Sequence, residues 1–263
     1  MKLKNAHPVI FKGYQPQIHI RSGTMKGLNF KPFAGLLIVS LALISSLAYA
    51  GDPVGQNRDV SGFDKIQVDG AYDLYITQGK EFSLRIEAEP EVLEKVKTEV
   101  NDGWLKVGDK KHKIQIGVFK SKARKIYVTL PELKELCLNG SSDVRGQNKF
   151  KAGDLRLEVN GAGDVELELE ARDVDANIRG AGDIKLKGSA DKFDISIAGS
   201  GDVSAYDLAS QKTTISISGA GDCRVNAGQE LEVNIAGSGD VSYQGSPKVV
   251  TKNVSGVGRV HKE

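Results

Sequence analysis

Six aspartates follow glycine-rich turns: Asp143 in GSSDV, Asp164 in GAGDV, Asp183 in GAGDI, Asp202 in GSGDV, Asp222 in GAGDC and Asp240 in GSGDV. Carboxylates repeated at one spacing could form a cation ladder, a row for a ligand, or the paired acid and base of a glycosidase, whose carboxyl groups stand about 5 to 9.5 Å apart. They could also hold a bend, each accepting N–H bonds of its own turn while the glycines supply positive φ. Stacking them has a cost, because two carboxylates about 5 Å apart repel by about 0.8 kcal/mol even in water. Asparagine would make a similar turn without the charge, and no copy uses it, which favours a cation. Against a cation, the calcium-binding repeat with GxGxD has a nine-residue period that this chain lacks. Acid–base catalysis needs two groups in different environments, whereas these turns repeat nearly the same one. The expectation is a structural turn ladder, with no metal, no cofactor and no catalytic residue assigned.

The elements that position these turns follow from their register. The first glycines are Gly140, Gly161, Gly180, Gly199, Gly219, Gly237 and Gly256, in steps of 21, 19, 19, 20, 18 and 19 residues. A period near twenty that tolerates slippage marks a stacked coil. Counting from the first glycine of the five turns from Gly161 to Gly237, apolar residues fill steps −4, −2 and +4, as in Leu157, Val159 and Val165, or Ile195, Ile197 and Val203. Between them Glu158, Asn160, Asn177, Arg179, Ser196 and Ser216 alternate outward, a period of two that is a strand's. The fold class is therefore all-β: a parallel β-helix or solenoid of about six coils of 18–21 residues, roughly 30 Å long. The last turn, GVGRV, puts Arg259 in place of the aspartate.

Residues 61–138 do not repeat. Alternation in FDKIQVDGAYDLYITQG, FSLRIEAE, WLKV and KIYVTLP, with EPEVLEKVKTEV as a short helix, predicts a small antiparallel capping sheet ahead of the coils at 139–260, the whole forming one domain at 61–260. Residues 51–60 read as a linker. Ahead of it, the apolar run Phe33–Leu47, preceded by Lys26 and Lys31 and followed by Ala48-Tyr49-Ala50, reads as a signal peptide within a leader at 1–50, starting at Met25 and cleaved after Ala50. At fifteen residues the run is shorter than the ~20 needed to span a bilayer, so no transmembrane anchor is expected in the mature form. The leader holds six basic residues and no acid. Its removal turns the whole-chain charge of +2 into −4, which argues against a nucleic-acid partner.

Two other patterns could do chemistry. Outward Arg156, Arg172, Arg179, Lys185, Lys187 and Lys192 could line a polysaccharide lyase groove, or be solvated charges on outer faces. A basic run, Lys110, Lys111, Lys113, Lys120, Lys122, Arg124 and Lys125, is opposed nearby by Asp109 alone and could dock an anionic surface. The register separates the two cysteines, Cys223 inward and Cys137 outward, too widely for a disulfide.

DGAYDLYITQG, a short acidic helix, NDGWLKV and serial GSGD and GAGD turns together resemble the bacterial "putative auto-transporter adhesin, head GIN domain" family, over about Phe63 to Val260. The resemblance implies an exported β-helical protein, commonly of Gram-negative bacteria, and supplies no catalytic residues. Many exported relatives carry a lipid-attachment cysteine where this chain has Gly51. The expected function is a non-enzymatic envelope protein, periplasmic or extracellular, whose rigid face binds a polysaccharide, another glycan or an envelope protein, with a homo-oligomer open to it. The alternative is a polysaccharide-degrading lyase or glycosidase.

Overall fold

The computed structural model describes residues 53–110 and 124–263. The chain enters as β1 (Val54–Arg58), β2 (Lys65–Gly70), β3 (Asp73–Gln78) and β4 (Ser83–Ala88), then a one-turn helix α1 (Pro90–Leu93). It continues through β5 (Val96–Asn101), β6 (Trp104–Asp109), β7 (Lys125–Leu130), β8 (Glu135–Gly140) and β9 (Asp143–Gly146). Five long strands follow: β10 (Phe150–Gly161), β11 (Val165–Gly180), β12 (Ile184–Gly199), β13 (Val203–Gly219) and β14 (Cys223–Gly237). The chain closes with β15 (Val241–Gly245), β16 (Val249–Gly256) and β17 (Val260–Lys262).

The long strands pair in parallel with their corners in register, Gly161 on Gly180, Gly180 on Gly199, Gly199 on Gly219 and Gly219 on Gly237. Burial shows where each strand bends. In β11, Val165, Leu167 and Leu169 are buried; the phase then slips, and Val174, Ala176 and Ile178 are buried. Side chains alternate across a strand, so the slip re-aims the second arm at the same core from the other side. In the five repeats whose corners run from Gly161 to Gly237, every residue predicted at steps −4, −2 and +4 is at most 3% exposed, and burying each such Val, Leu or Ile is worth about 1.5–3 kcal/mol.

The N-terminal region departs from the expected antiparallel cap. Strand β2 pairs in parallel with both β8 and β6, and β3 with both β9 and β7. Residues 65–78 therefore form an inner layer of the stack, with Gly70 beneath Gly140 and the layer of β6 and β7 beneath Gly70. The solenoid has about seven turns rather than six. Antiparallel pairing is confined to β1 with β4, β4 with β7 and β5 with β6. The helix stops after Leu93 because Val96, Thr98 and Val100 alternate with polar residues and prefer the strand β5. No helix among the described residues is long and apolar enough to cross a membrane.

Candidate binding surface

Two glycines per corner answer two constraints. At Gly180 φ is +145°, and a Cβ there would lie 2.1 Å from the carbonyl oxygen of Gly161 in the adjoining coil. At Gly182 a Cβ would lie 2.2 Å from the oxygen of Gly163. Corners stacked this closely admit no side chain.

The aspartates at these corners brace neighbouring coils instead of serving their own turn. Oδ1 of Asp143 accepts the backbone N–H of Asp164 at 3.2 Å, Asp164 that of Asp183 at 3.1 Å, and Asp183 that of Asp202 at 2.9 Å. Asp202 and Asp222 do the same for Asp222 and Asp240, each at 2.8 Å. The bonds run between coils rather than within one turn, because strands stacked in register bring the next coil's peptide N–H to the carboxylate. Charge-assisted bonds of this kind are about twice as strong as neutral ones, which offsets the repulsion between carboxylates. The ladder ends at Arg259, whose N–H donates to Asp240 Oδ1 at 2.9 Å and whose Nη2 donates to Oδ2 at 2.6 Å. It begins at Asp143, whose own N–H goes to the Tyr72 carbonyl at 2.9 Å. Among the described residues no three His, Cys, Asp or Glu side chains gather as metal ligands would.

The basic residues of the possible lyase groove are engaged by neighbouring carboxylates. Arg156 meets Asp175 at 3.3 Å, Arg179 meets Glu158 at 3.7 Å, and Lys185 and Lys187 meet Glu166 at 3.0 and 3.8 Å. Arg172 pairs with Asp154 and Lys192 with Asp194. The bond from Lys185 holds the Glu166 carboxyl below its ordinary range. These are exposed pairs, worth at most about 1 kcal/mol each, and they do not converge on one point.

Of the basic run, Lys111, Lys113, Lys120 and Lys122 lie outside the described residues. Lys110 donates to the Glu94 carbonyl at 2.8 Å, and Lys125 opens β7 half-buried. Arg124 is not a free cation: its Nη1 donates to both oxygens of Asp109, at 3.1 and 2.9 Å, and its guanidinium stands over the Tyr72 ring. Tyr72 donates its hydroxyl proton to Asp109 at 2.7 Å, and burial followed by that carboxylate pushes its pKa up. Cys137 and Cys223 are both free. Cys223 lies in the inner row, while Cys137 is half-buried on the outer face beside Asn139 and Asn160, where burial raises its thiol pKa.

One outer surface carries little charge. On the arms that precede the corners, the outward columns at steps −3 and −1 carry Ser196 and Ala198, Ser216 and Ser218, Asn234 and Ala236, and Asn253 and Ser255. Together with Lys252 of the last coil they line an open trough of about 650 Å³. Nearer the N-terminus the same columns are filled by a tied ladder: Arg179 donates to Asn160, Asn160 to Asn139 and Asn139 to Asp69, at 3.2, 3.1 and 2.7 Å. Sequence alternation placed Ser196 and Ser216 outward but did not assemble the trough. The available signal was the loss of charge from both columns beyond Arg179.

Residues 62–247 match the family described as "Putative auto-transporter adhesin, head GIN domain". No curated protein matches the chain. Among solved structures, a "putative adhesin" of Bacteroides fragilis is 26% identical with a TM-score of 0.76, covering 81% of this chain and 97% of its own. A "putative lipid binding protein" of Parabacteroides distasonis is 27% identical with a TM-score of 0.63, at the same coverages. A "putative adhesin" of Parabacteroides merdae shares the fold at 22% identity, with a TM-score of 0.67 and again 81% and 97% coverage.

Proposed function

We propose, from the premise that this chain belongs to the auto-transporter adhesin head GIN domain family, that it is an exported, non-enzymatic binding protein of the cell envelope whose ligand is a neutral, hydroxyl-rich glycan. The supporting observation is the trough over Ser196 to Ser255, an open surface on a rigid sheet where serine and asparagine side chains alternate with alanines and Lys252 stands at the last coil. Successive coils repeat these groups about every 4.8 Å, a periodicity suited to a polymer of similar residues rather than to a compact small molecule. Extended, hydroxyl-rich chains meet such a face through many weak hydrogen bonds, each worth about 0.5–1.5 kcal/mol net. Within the trough Asn253 donates to Asn234 at 2.8 Å and Asn234 to Glu232 at 3.2 Å, so the groups it offers a ligand are chiefly the hydroxyls of Ser196, Ser216, Ser218 and Ser255.

The test incubates the protein with neutral polysaccharides, acidic polysaccharides and phospholipid vesicles, recording bound mass and released oligosaccharide together. Binding to a neutral polysaccharide without release is expected. It should be lost in Ser216→Arg/Ser218→Arg and kept in Ser204→Arg on the opposite arm. Release of oligosaccharide, or equal binding by the trough variant, defeats this reading. Binding confined to the acidic arm would return the site to the basic run at 110–125, and binding confined to vesicles would make the Parabacteroides distasonis neighbour the better guide.

A further inference from the structure

The last coil repeats the register of the others but not their chemistry. Val250, Lys252 and Val254 of β16 lie on Leu231, Val233 and Ile235 of β14, and Val260 and Lys262 of β17 lie on Val241 and Tyr243 of β15. In the layer beneath, these rows are apolar and buried, at 0% exposure for Leu231, Val233 and Val241, 2% for Ile235 and 8% for Tyr243. Two of the five positions in the final layer are lysines.

This end also concentrates exposed apolar surface. Val249, Val250, Val254 and Val257 are 52%, 38%, 43% and 78% exposed, and among the described residues the other large apolar side chain so exposed is Val54. Each of β16 and β17 pairs along one edge. An open parallel edge with apolar rows in the register of a coil is a template for another copy of the same chain.

Lys252 lies across that template. Its Nζ donates to the Val260 carbonyl at 3.1 Å and stands 5.4 Å from the centre of the Tyr243 ring. The aliphatic stem thus spans the end of the core from β16 to β17. The Arg259 carbonyl accepts from Val241 N–H, so alternation along the strand turns the Val260 carbonyl to the open edge. Lys252 therefore occupies an acceptor that an added strand would need. A second copy docking end to end would bring Lys252 and Lys262 against their own counterparts, burying like charges without partners.

We infer that Lys252 and Lys262 close the C-terminal end of the stack, so that copies of this chain do not join through it and any self-association uses another surface. The test compares the sedimentation of the wild-type protein with that of Lys252→Val/Lys262→Val across a concentration series, with the outward Lys248→Val as control. The double variant should associate about a hundred-fold more tightly than the wild type, with the control unchanged. Lys262→Val alone alters an exposed position in a three-residue strand and gives a smaller shift in the same direction, independent of how the double variant folds. Wild-type sedimentation from both variants, or an equal shift in the control, overturns the inference.

Discussion

The two ends of the solenoid solve one problem by different means. At the N-terminal end the chain doubles back, laying β4 and β5 antiparallel on β7 and β6 and burying Leu84, Ile86, Val92, Leu93 and Val96. At the C-terminal end the chain adds one more parallel layer and changes its side chains, with Lys252 and Lys262 in core rows and Arg259 at the ladder position. The first end is closed by packing, the second by charge. Packing contributes to global stability, whereas charge on an exposed edge mainly selects against wrong partners. The ends should therefore respond very differently to equivalent substitutions.

The largest contrast is expected at the corners. Gly182→Ala places a Cβ 2.2 Å from the Gly163 oxygen between two coils that cannot separate, and Gly258→Ala places one 2.3 Å from the Gly239 oxygen in a coil that, among the described residues, pairs on one side only. The first should cost more than about 4 kcal/mol or prevent folding, and the second about 1 kcal/mol, because the final layer can lift. Equal losses in chemical denaturation would mean that the last coil is as firmly held as the middle. Next in size is the core at each end. Ile86→Ala, at a fully buried position in β4, should cost about 2–5 kcal/mol. Val254→Ala, at 43% exposure, should cost less than about 0.5 kcal/mol. A larger loss at Val254 would show that the C-terminal end is closed by packing after all.

The repeats from Gly140 onward were legible because one structural period was written at nearly constant length, so strand, corner and inward rows could be counted. The inner N-terminal layer was not. Its corner, Gly70-Ala71-Tyr72-Asp73, registers with Gly140 and Asp143, but Tyr72 stands where later corners carry a second glycine. Strand β7 and the excursion through β4 to β6 also separate it from its neighbour by seventy residues. Period counting cannot cross such an excursion. Ser142 marks the junction: it fills the later glycine's place, is fully buried, accepts from Tyr72 N–H and donates to the Gly70 carbonyl, both at 3.1 Å. The aspartate column was predictable as a line, but its bonds were not, since a carboxylate's choice between its own turn and the next coil depends on stacking distances that sequence does not carry. The trough was hidden for a related reason, because its residues are unremarkable singly and form a surface only across coils.

The smallest effect separates the ends by acid. The aspartate ladder stops at its N-terminal end on a neutral group, the Tyr72 carbonyl, and at its C-terminal end on Arg259. The hydrogen bond from Arg259 lowers the Asp240 pKa. A carboxylate whose folded pKa lies below its unfolded value of about 4 stabilises the fold fully at higher pH, and that contribution disappears as pH falls through the lowered folded value. Arg259→Gln should therefore lower Tm slightly at neutral pH, and the gap from wild type should close as Asp240 is protonated. Because Arg259 is exposed and Asp240 only half-buried, the gap should also shrink with added salt. A gap that persists in acid and in high salt would mean that Arg259 holds the last coil by packing its stem, and the distinction between an end closed by packing and one closed by charge would not extend to the ladder.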